Sequence, residues 1–145
     1  MQKPFCAASI VIFGGTGDLA GRKLIPALCR LHNAGLLPHD FHVFVTGRSD
    51  MTTEAFIENL TRRESDQLAK DKKFADGFAG LKPKIRYLRA NPSLQNEPED
   101  FRQRLLAEEP LAAPARLFYL AVPPSGMESF IRLVKPFSEN RTDQN

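Results

Sequence analysis

The 145-residue sequence has no tryptophan, two cysteines, two tyrosines and three histidines. Cys6 and Cys29 form no metal-ligand or redox spacing, and two thiols cannot build a disulfide framework, so a reducing, cytoplasmic location is expected. An excess of one charge sign is also missing. Twenty basic residues against seventeen acidic ones leave +3, which favours a phosphate-rich ligand slightly but argues against nucleic acid as a partner. Nor is there a long hydrophobic run: the apolar stretch near the N-terminus is brief and stops at a glycine cluster. It therefore reads as a core strand, neither a signal peptide nor a membrane span, and no membrane partner is expected. What is present, 42% hydrophobic and 26% charged residues, is the composition of a soluble globular protein, and the length suits one domain over residues 1–145.

The chain is organised around Ser9-Ile10-Val11-Ile12-Phe13-Gly14-Gly15-Thr16-Gly17-Asp18-Leu19-Ala20-Gly21-Arg22-Lys23-Leu24. A β-branched run stops at glycines and a helical spacing follows, which predicts strand, tight turn and helix. Glycines remove the β-carbons that would hold a pyrophosphate away from the backbone, while the turn aims amide N–H groups and the positive end of the helix dipole at the anion. Gly14-x-x-Gly17-x-x-Ala20 is a wider variant of the dinucleotide fingerprint, with Ala20 as the small residue where helix meets strand. It is not a P-loop, because Arg22, Lys23 and Leu24 follow Gly21 in place of a Lys-Ser/Thr pair. The nucleotide contacts are assigned to Gly14, Gly15, Thr16, Gly17, Asp18, Leu19, Ala20 and Gly21; a plain strand-to-helix turn is the competing reading.

Taken in order, Met1 to Ala7 reads as a lead-in and Ala8 to Phe13 as a strand buried on both faces. From Asp18 to about Asn33, Leu19, Leu24, Leu28 and Leu31 recur at near-helical spacing, with Gly35 as a C-terminal cap and Pro26 predicting a late start or a bend. Phe41 to Gly47 predicts a second strand ending at Gly47-Arg48-Ser49. NAD-preferring folds place a carboxylate there against the adenosine ribose, whereas an arginine accommodates a 2′-phosphate. Arg48 offers a planar fork of donors matched to phosphate oxygens and so points to NADP; a solvated loop arginine is the competing reading.

Met51 to about Ala69 shows helical spacing at Phe56, Leu60 and Leu68, capped by Thr52 or Thr53. Asp71 to Pro83 reads as an irregular loop or a second short helix, Lys84 to Leu88 as a third strand, and Glu97 to about Glu108 as a helix with Phe101 and Leu105 on one face. After Pro110 and Pro114, Arg116 to Val122 reads as a fourth strand ending at Pro123-Pro124-Ser125, where a cis X-Pro bond is an option. Tyr119 is assigned to the core, and a last helix runs through Phe130, Ile131 and Leu133. The alternation predicts an α/β fold: a Rossmann-like, doubly wound, mostly parallel sheet, incomplete, corresponding to the N-terminal part of a coenzyme domain.

The run from Gly14 to Leu28 resembles the opening signature of glucose-6-phosphate dehydrogenases, a glycine turn entering Asp-Leu-Ala-x-Arg-Lys-Leu. Gly47-Arg48-Ser49 and Tyr119-Leu120-Ala121-Val122-Pro123-Pro124-Ser125 are similar to two further elements of that family. The resemblance implies NADP-linked oxidation of glucose 6-phosphate to a lactone in the pentose phosphate pathway of glucose metabolism, by hydride transfer after a histidine removes a hydroxyl proton. It implies that the backbone of Ala121, Val122, Pro123 and Pro124 lines the coenzyme beside the nicotinamide. Asn91 stands near where the family usually has an acidic residue by the coenzyme, and is kept as a contact, with a turn role as the alternative. Lys135-Pro136-Phe137 is similar to a Glu-Lys-Pro-Phe-Gly element of the family, but Val134 and Ser138 replace its flanks, so Lys135 is read as an ordinary lysine near a helix end.

The family's catalytic Arg-Ile-Asp-His-Tyr-Leu-Gly-Lys type stretch has no match here. His32, His39 and His42 precede the middle of the chain, and none sits where a base beside the nicotinamide would, so no catalytic residue is assigned. The expectation is a truncated NADP-binding domain lacking the substrate domain, with no turnover of its own and with glucose 6-phosphate as a partner only if the missing part is supplied. A small NADP-dependent short-chain-type reductase would need Tyr-x-x-x-Lys, yet Asn91 and Pro123 follow Tyr87 and Tyr119 at that spacing. The third reading is a non-enzymatic fragment, pairing with a full-length relative or with itself through an uncovered sheet edge.

Overall fold

The computed structural model describes residues 7–109 and 115–139; the lead-in over residues 1–6 and the punctuating Pro110 and Pro114 lie outside them. Four apolar runs form a wholly parallel sheet from β1 (Ala7–Phe13), β2 (Asp40–Gly47), β3 (Ile85–Arg89) and β4 (Ala115–Leu120), in the order β3-β2-β1-β4. β1 is central, with Val11 opposite Phe44 on one side and Phe118 on the other. Val11, Ile12 and Phe13 have no exposed surface, as a strand covered on both faces requires.

Alternating side chains separate two cores. Ile10, Ile12, Val43, Val45, Ile85 and Tyr87 face one way, under Ile25 and Cys29 of α1 (Ile25–Asn33), Phe56, Ile57 and Leu60 of α2 (Thr53–Arg63), and, beyond the short α3 (Ser65–Lys70), Phe74, Phe78 and Leu81 of α4 (Lys72–Leu81). Val11, Phe13, Phe44 and Leu88 face the other way, under Phe101 and Leu105 of α5 (Glu97–Glu108) and Phe130 and Leu133 of α6 (Met127–Glu139). Phe13 is the hub of this second core, its ring centroid 5.5, 6.0 and 5.3 Å from those of Phe101, Phe118 and Phe130. The doubly wound α/β layering expected from the sequence is therefore present.

Local differences from expectation have physical causes. The helix after the glycine turn opens with a widened π-type turn over Ala20–Leu24, closed by Ile25 N–H donating to Ala20 O, so that Pro26 falls in the first turn of α1 where its missing N–H is tolerated. The extra residue rotates the helix: the buried stripe is Ala20, Ile25 and Cys29, with Leu24 and Leu28 packed against it as expected, whereas Leu19 and Leu31 are exposed, which corrects those two members of the leucine stripe. Gly35, at φ +70°, ends α1 as expected, with Gly35 N–H donating to His32 O and Leu36 N–H to Leu31 O, each at 3.0 Å. Thr52 caps α2 through Ala55 N–H at 3.1 Å, but the helix expected to reach Ala69 breaks at Glu64 into α2 and α3.

Of the two readings left open for Asp71 to Pro83, the helix is the one observed, because most of the stretch is α4. The Asp71 carboxylate accepts from Phe74 N–H at 3.0 Å as a cap and from Arg30 of α1 at 2.8 Å. The Arg30 bond, with the Phe74 amide second, holds the Asp71 carboxyl below its usual value. Gly77 within it is a packing requirement: a β-carbon there would lie 1.8 Å from the carbonyl oxygen of Cys29. Burial at this helix contact pushes the Cys29 thiol up to about 12.

β4 lies at an edge and ends at Leu120, short of the expected Val122. By register its Leu117 and Tyr119 share a face with Ile10 and Ile12, yet they are 60% and 38% exposed because helical cover ends over β1; this corrects the assignment of Tyr119 to the core. In α6, Phe130 and Leu133 are buried while Ile131 faces solvent. No cis peptide bond occurs among the described residues, so the bonds before Pro123 and Pro124 are trans.

Gly77→Ala should lower unfolding free energy by about 2–3 kcal/mol, because rigid backbone must move aside. Gly80→Ala, whose β-carbon meets only the movable ring of His32, should stay within about 1 kcal/mol of the parent in the same urea titration.

Candidate nucleotide site at the C-terminal edge of the sheet

The connections out of β1 and β3 place β2 and β4 on opposite sides of β1. In open α/β sheets, this reversal opens a crevice at the carboxyl ends of the strands. Four segments meet there: the glycine turn after β1, Arg48 after β2, Asn91 after β3 and Ala121–Pro124 after β4.

The glycine turn is fitted against both neighbours. Gly14 has φ +77°, and a β-carbon on it would sit 2.3 Å from Ala121 O and 2.9 Å from Val122 Cγ1. A β-carbon on Gly15 would lie 2.1 Å from Val45 Cγ1, and Gly15 N–H donates to Thr46 O at 3.0 Å. Ala121 N–H in turn donates to Phe13 O at 2.8 Å. Glycines at 14 and 15 are thus what allow the tips of β2, β1 and β4 to close up. Gly17 N–H donates to Gly14 O at 3.0 Å and the helix begins at Asp18, its first internal bond running from Gly21 N–H to Gly17 O at 3.1 Å. The amides of Asp18, Leu19 and Ala20 therefore have no intrahelical acceptor and stand at the positive end of the helix dipole. Thr16, Gly17, Asp18 and Leu19 are exposed, whereas Gly15, Ala20 and Gly21 are buried beneath them.

Arg48 lies beside this turn. A β-carbon on Gly47 would meet Thr16 Cγ2 at 3.0 Å and Tyr87 Oη at 2.7 Å, which shows how closely the two strand tips approach. Arg48 is exposed, with no ion pair or hydrogen bond to another described residue in the structure. The structure also brings Ala121 and Val122 against Gly14, with Pro123 and Pro124 following into a short 3₁₀ turn over Pro124–Gly126. Asn91 reaches the same edge through Ala90 N–H, which donates to Gly47 O at 2.8 Å. Its side-chain oxygen accepts from Ser93 N–H at 3.1 Å, the turn role weighed for it.

The histidines lie elsewhere. His42 is near the start of β2, roughly 16 Å short of Gly47 at 3.3 Å per residue, and bonds Asp40 at 2.7 Å. His39 precedes that strand, and His32 packs against Gly80.

Sequence reasoning missed the groups that brace the crevice. Tyr87 Oη donates to Ser49 O at 2.6 Å, fixing the turn that carries Arg48, and burial raises its pKa. Glu97, buried at the head of α5, accepts from Asn91 N–H at 2.8 Å and from Arg104, while Arg104 also donates to Arg89 O at 2.8 Å. Arg132 of α6 donates to Pro92 O at 2.9 Å and Leu94 O at 3.0 Å, so the loop after β3 is held from two helices. Arg63 of α2 donates to Thr16 O at 3.0 Å and to Asp18 at 2.9 Å. No local spacing signals these bonds.

Gly14→Ala should cost about 2–3 kcal/mol, since positive φ and the Ala121 carbonyl oppose it together. Gly17→Ala, whose β-carbon has 3.3 Å to Gly14 O, should cost no more than about 1 kcal/mol, both read by thermal unfolding in circular dichroism.

Comparison with known proteins places this arrangement in context. The family described as "Glucose-6-phosphate dehydrogenase, NAD binding domain" matches residues 11–144. The glucose-6-phosphate 1-dehydrogenase of Treponema pallidum is 32% identical over 138 residues, which cover 94% of this chain and 27% of that protein. The enzyme of Schizosaccharomyces pombe is 33% identical over 124 residues, 80% of this chain and 23% of that one. A solved glucose-6-phosphate dehydrogenase in complex with its substrate glucose-6-phosphate superposes with a TM-score of 0.64 at 26% identity, over 99% of this chain and 30% of its own. The chain thus spans about a quarter of the length of the curated relatives it matches.

Proposed function

The chain belongs to the glucose-6-phosphate dehydrogenase family, within its NAD binding domain, and from that membership we propose that it is an NADP-binding domain serving the oxidation of glucose 6-phosphate to 6-phosphogluconolactone. The observation that carries the reading is the meeting of a turn stripped of β-carbons with Arg48 at the adjoining strand tip. The residues fit the coenzyme, since β-carbons at Gly14 and Gly15 would force the strand tips apart and disrupt the cradle between them. The amides of Asp18, Leu19 and Ala20 would hold the diphosphate, Arg48 the 2′-phosphate, and the backbone of Ala121–Pro124 would flank the nicotinamide end. Bound NADP would supply the hydride acceptor.

What these residues do themselves is bind and orient. Removing the sugar's hydroxyl proton needs a base within hydrogen-bonding reach, and the three histidines are placed away from the strand tips, so we assign no turnover to this segment alone. Glucose 6-phosphate would join as substrate only alongside the remainder of a dehydrogenase. The few cysteines, with Cys29 a free buried thiol, support a cytoplasmic setting.

Calorimetry with NADP and NAD tests the reading, and binding of NADP with weaker or no binding of NAD is expected. Arg48→Ala should weaken NADP about tenfold or more and leave NAD within about twofold, as loss of a charge-assisted phosphate contact would. Equal losses for both coenzymes would remove Arg48 as the discriminator, and no heat from either on folded protein would remove the function.

A second reading is favoured by the open edge of β4. Exposed Leu117 and Tyr119, beside strand backbone that pairs with no further strand among the described residues, suit another polypeptide, either a full-length relative or a second copy. Size-exclusion chromatography with and without a relative should show co-elution, and independent elution at all concentrations would discard this reading.

A further inference from the structure

We propose that Arg63 is a positioning residue for the glycine turn, pinning the Thr16 carbonyl and neutralising Asp18 where a diphosphate must approach. The inference rests on the reading of that turn as a diphosphate cradle. Asp18, the first helical residue, complements the helix dipole, but its carboxylate also stands beside amides that are to receive a doubly charged group. Left alone it would repel that ligand.

The geometry supplies the remedy from another part of the chain. Arg63 closes α2, and its Nη2 lies 2.9 Å from Asp18 Oδ1 while its Nη1 donates to Thr16 O at 3.0 Å. One planar group therefore holds two points of the turn, whereas the local partner, Arg22, stands 3.9 Å from the same carboxylate oxygen. Between turn and helix lies a cleft of about 260 Å³ bounded by Gly15, Thr16 and Gly21 on one side and by Phe56, Asn59 and Leu60 on the other. Among the described residues, Arg63 is the one α2 side chain hydrogen-bonded across it. Its guanidinium satisfies Asp18 without occupying the amides of Asp18, Leu19 and Ala20.

The pair is well exposed, with 41% and 77% of the Arg63 and Asp18 side chains accessible, so removing it should leave the fold nearly as stable. The test uses the full chain with two ligands: NADP, and 2′-AMP, which has the adenosine and the 2′-phosphate but no diphosphate. Arg63→Ala should raise the Kd for NADP about tenfold by exposing the diphosphate to a carboxylate left with only the more distant Arg22, on a looser turn, with 2′-AMP, followed by ligand-observed NMR, changing less than about twofold. Adding Asp18→Asn to Arg63→Ala should recover about threefold of that loss, because the repelling charge is gone. A thermal midpoint close to the parent's shows that neither change is a folding defect. Unchanged NADP affinity in Arg63→Ala, parallel loss of 2′-AMP, or no recovery in the double variant each overturns the proposal, the last because it would put Arg63 on the ligand itself. Failure of the parent chain to bind NADP is a separate outcome, which strikes the coenzyme reading.

Discussion

At residues 14 and 15 the chain has no side chains because three strand tips occupy the space. The carbonyl of Ala121 stands where a β-carbon of Gly14 would be, and a methyl of Val45 where that of Gly15 would be. This exclusion lets the central strand end flush with its neighbours, and the flush ending creates a crevice lined by main chain. Main chain matters because amide dipoles are fixed in direction and need no reorganisation when an anion arrives. Arg48 and the Ala121–Pro124 segment owe their place beside the turn to the same close approach.

The edge is braced by charge as well as by packing. Glu97 and Arg104 hold the start of the loop after β3, Arg132 holds its carbonyls from the far helix, and Tyr87 holds the turn of Arg48. Each donor or acceptor sits on a regular element and reaches into a loop, which is how an irregular segment acquires a defined shape. Cations therefore do two jobs here: some are already paired and shape the loops, and Arg48, which has no described partner, faces solvent.

Much of this was legible in the sequence, for reasons that differ by element. The strand before Gly14 announced itself through Ile10, Val11 and Ile12, and the order of turn, helix, strand and arginine followed from local chemistry. The segments that failed are those where distant residues decide. The stretch from Asp71 to Pro83 stayed open between loop and helix because nothing nearby reveals that Gly77 faces the Cys29 carbonyl. Tyr119 read as core because an apolar strand gives no sign of lying at an edge, and the leucine stripe of the first helix was displaced by a turn one residue wider than the ideal period. The pairing of Asp18 with Arg63 spans 45 positions, and Arg63 is adjacent to a second arginine, Arg62, that bonds elsewhere. Periodicity and motif spacing carry no information at that range.

The placement of β4 beside β1 has a consequence for how the protein is made. Phe13 is paired with Leu120, so among the described strands β4, the latest in sequence, meets β1, the earliest, across most of the chain. A growing polypeptide leaving the ribosome can lay β2 and β3 against β1 early, yet the crevice has only one wall until β4 has been translated and inserted. Closing so long a loop costs more chain entropy than pairing neighbours, and a nucleotide bound at this edge would favour the inserted form by mass action.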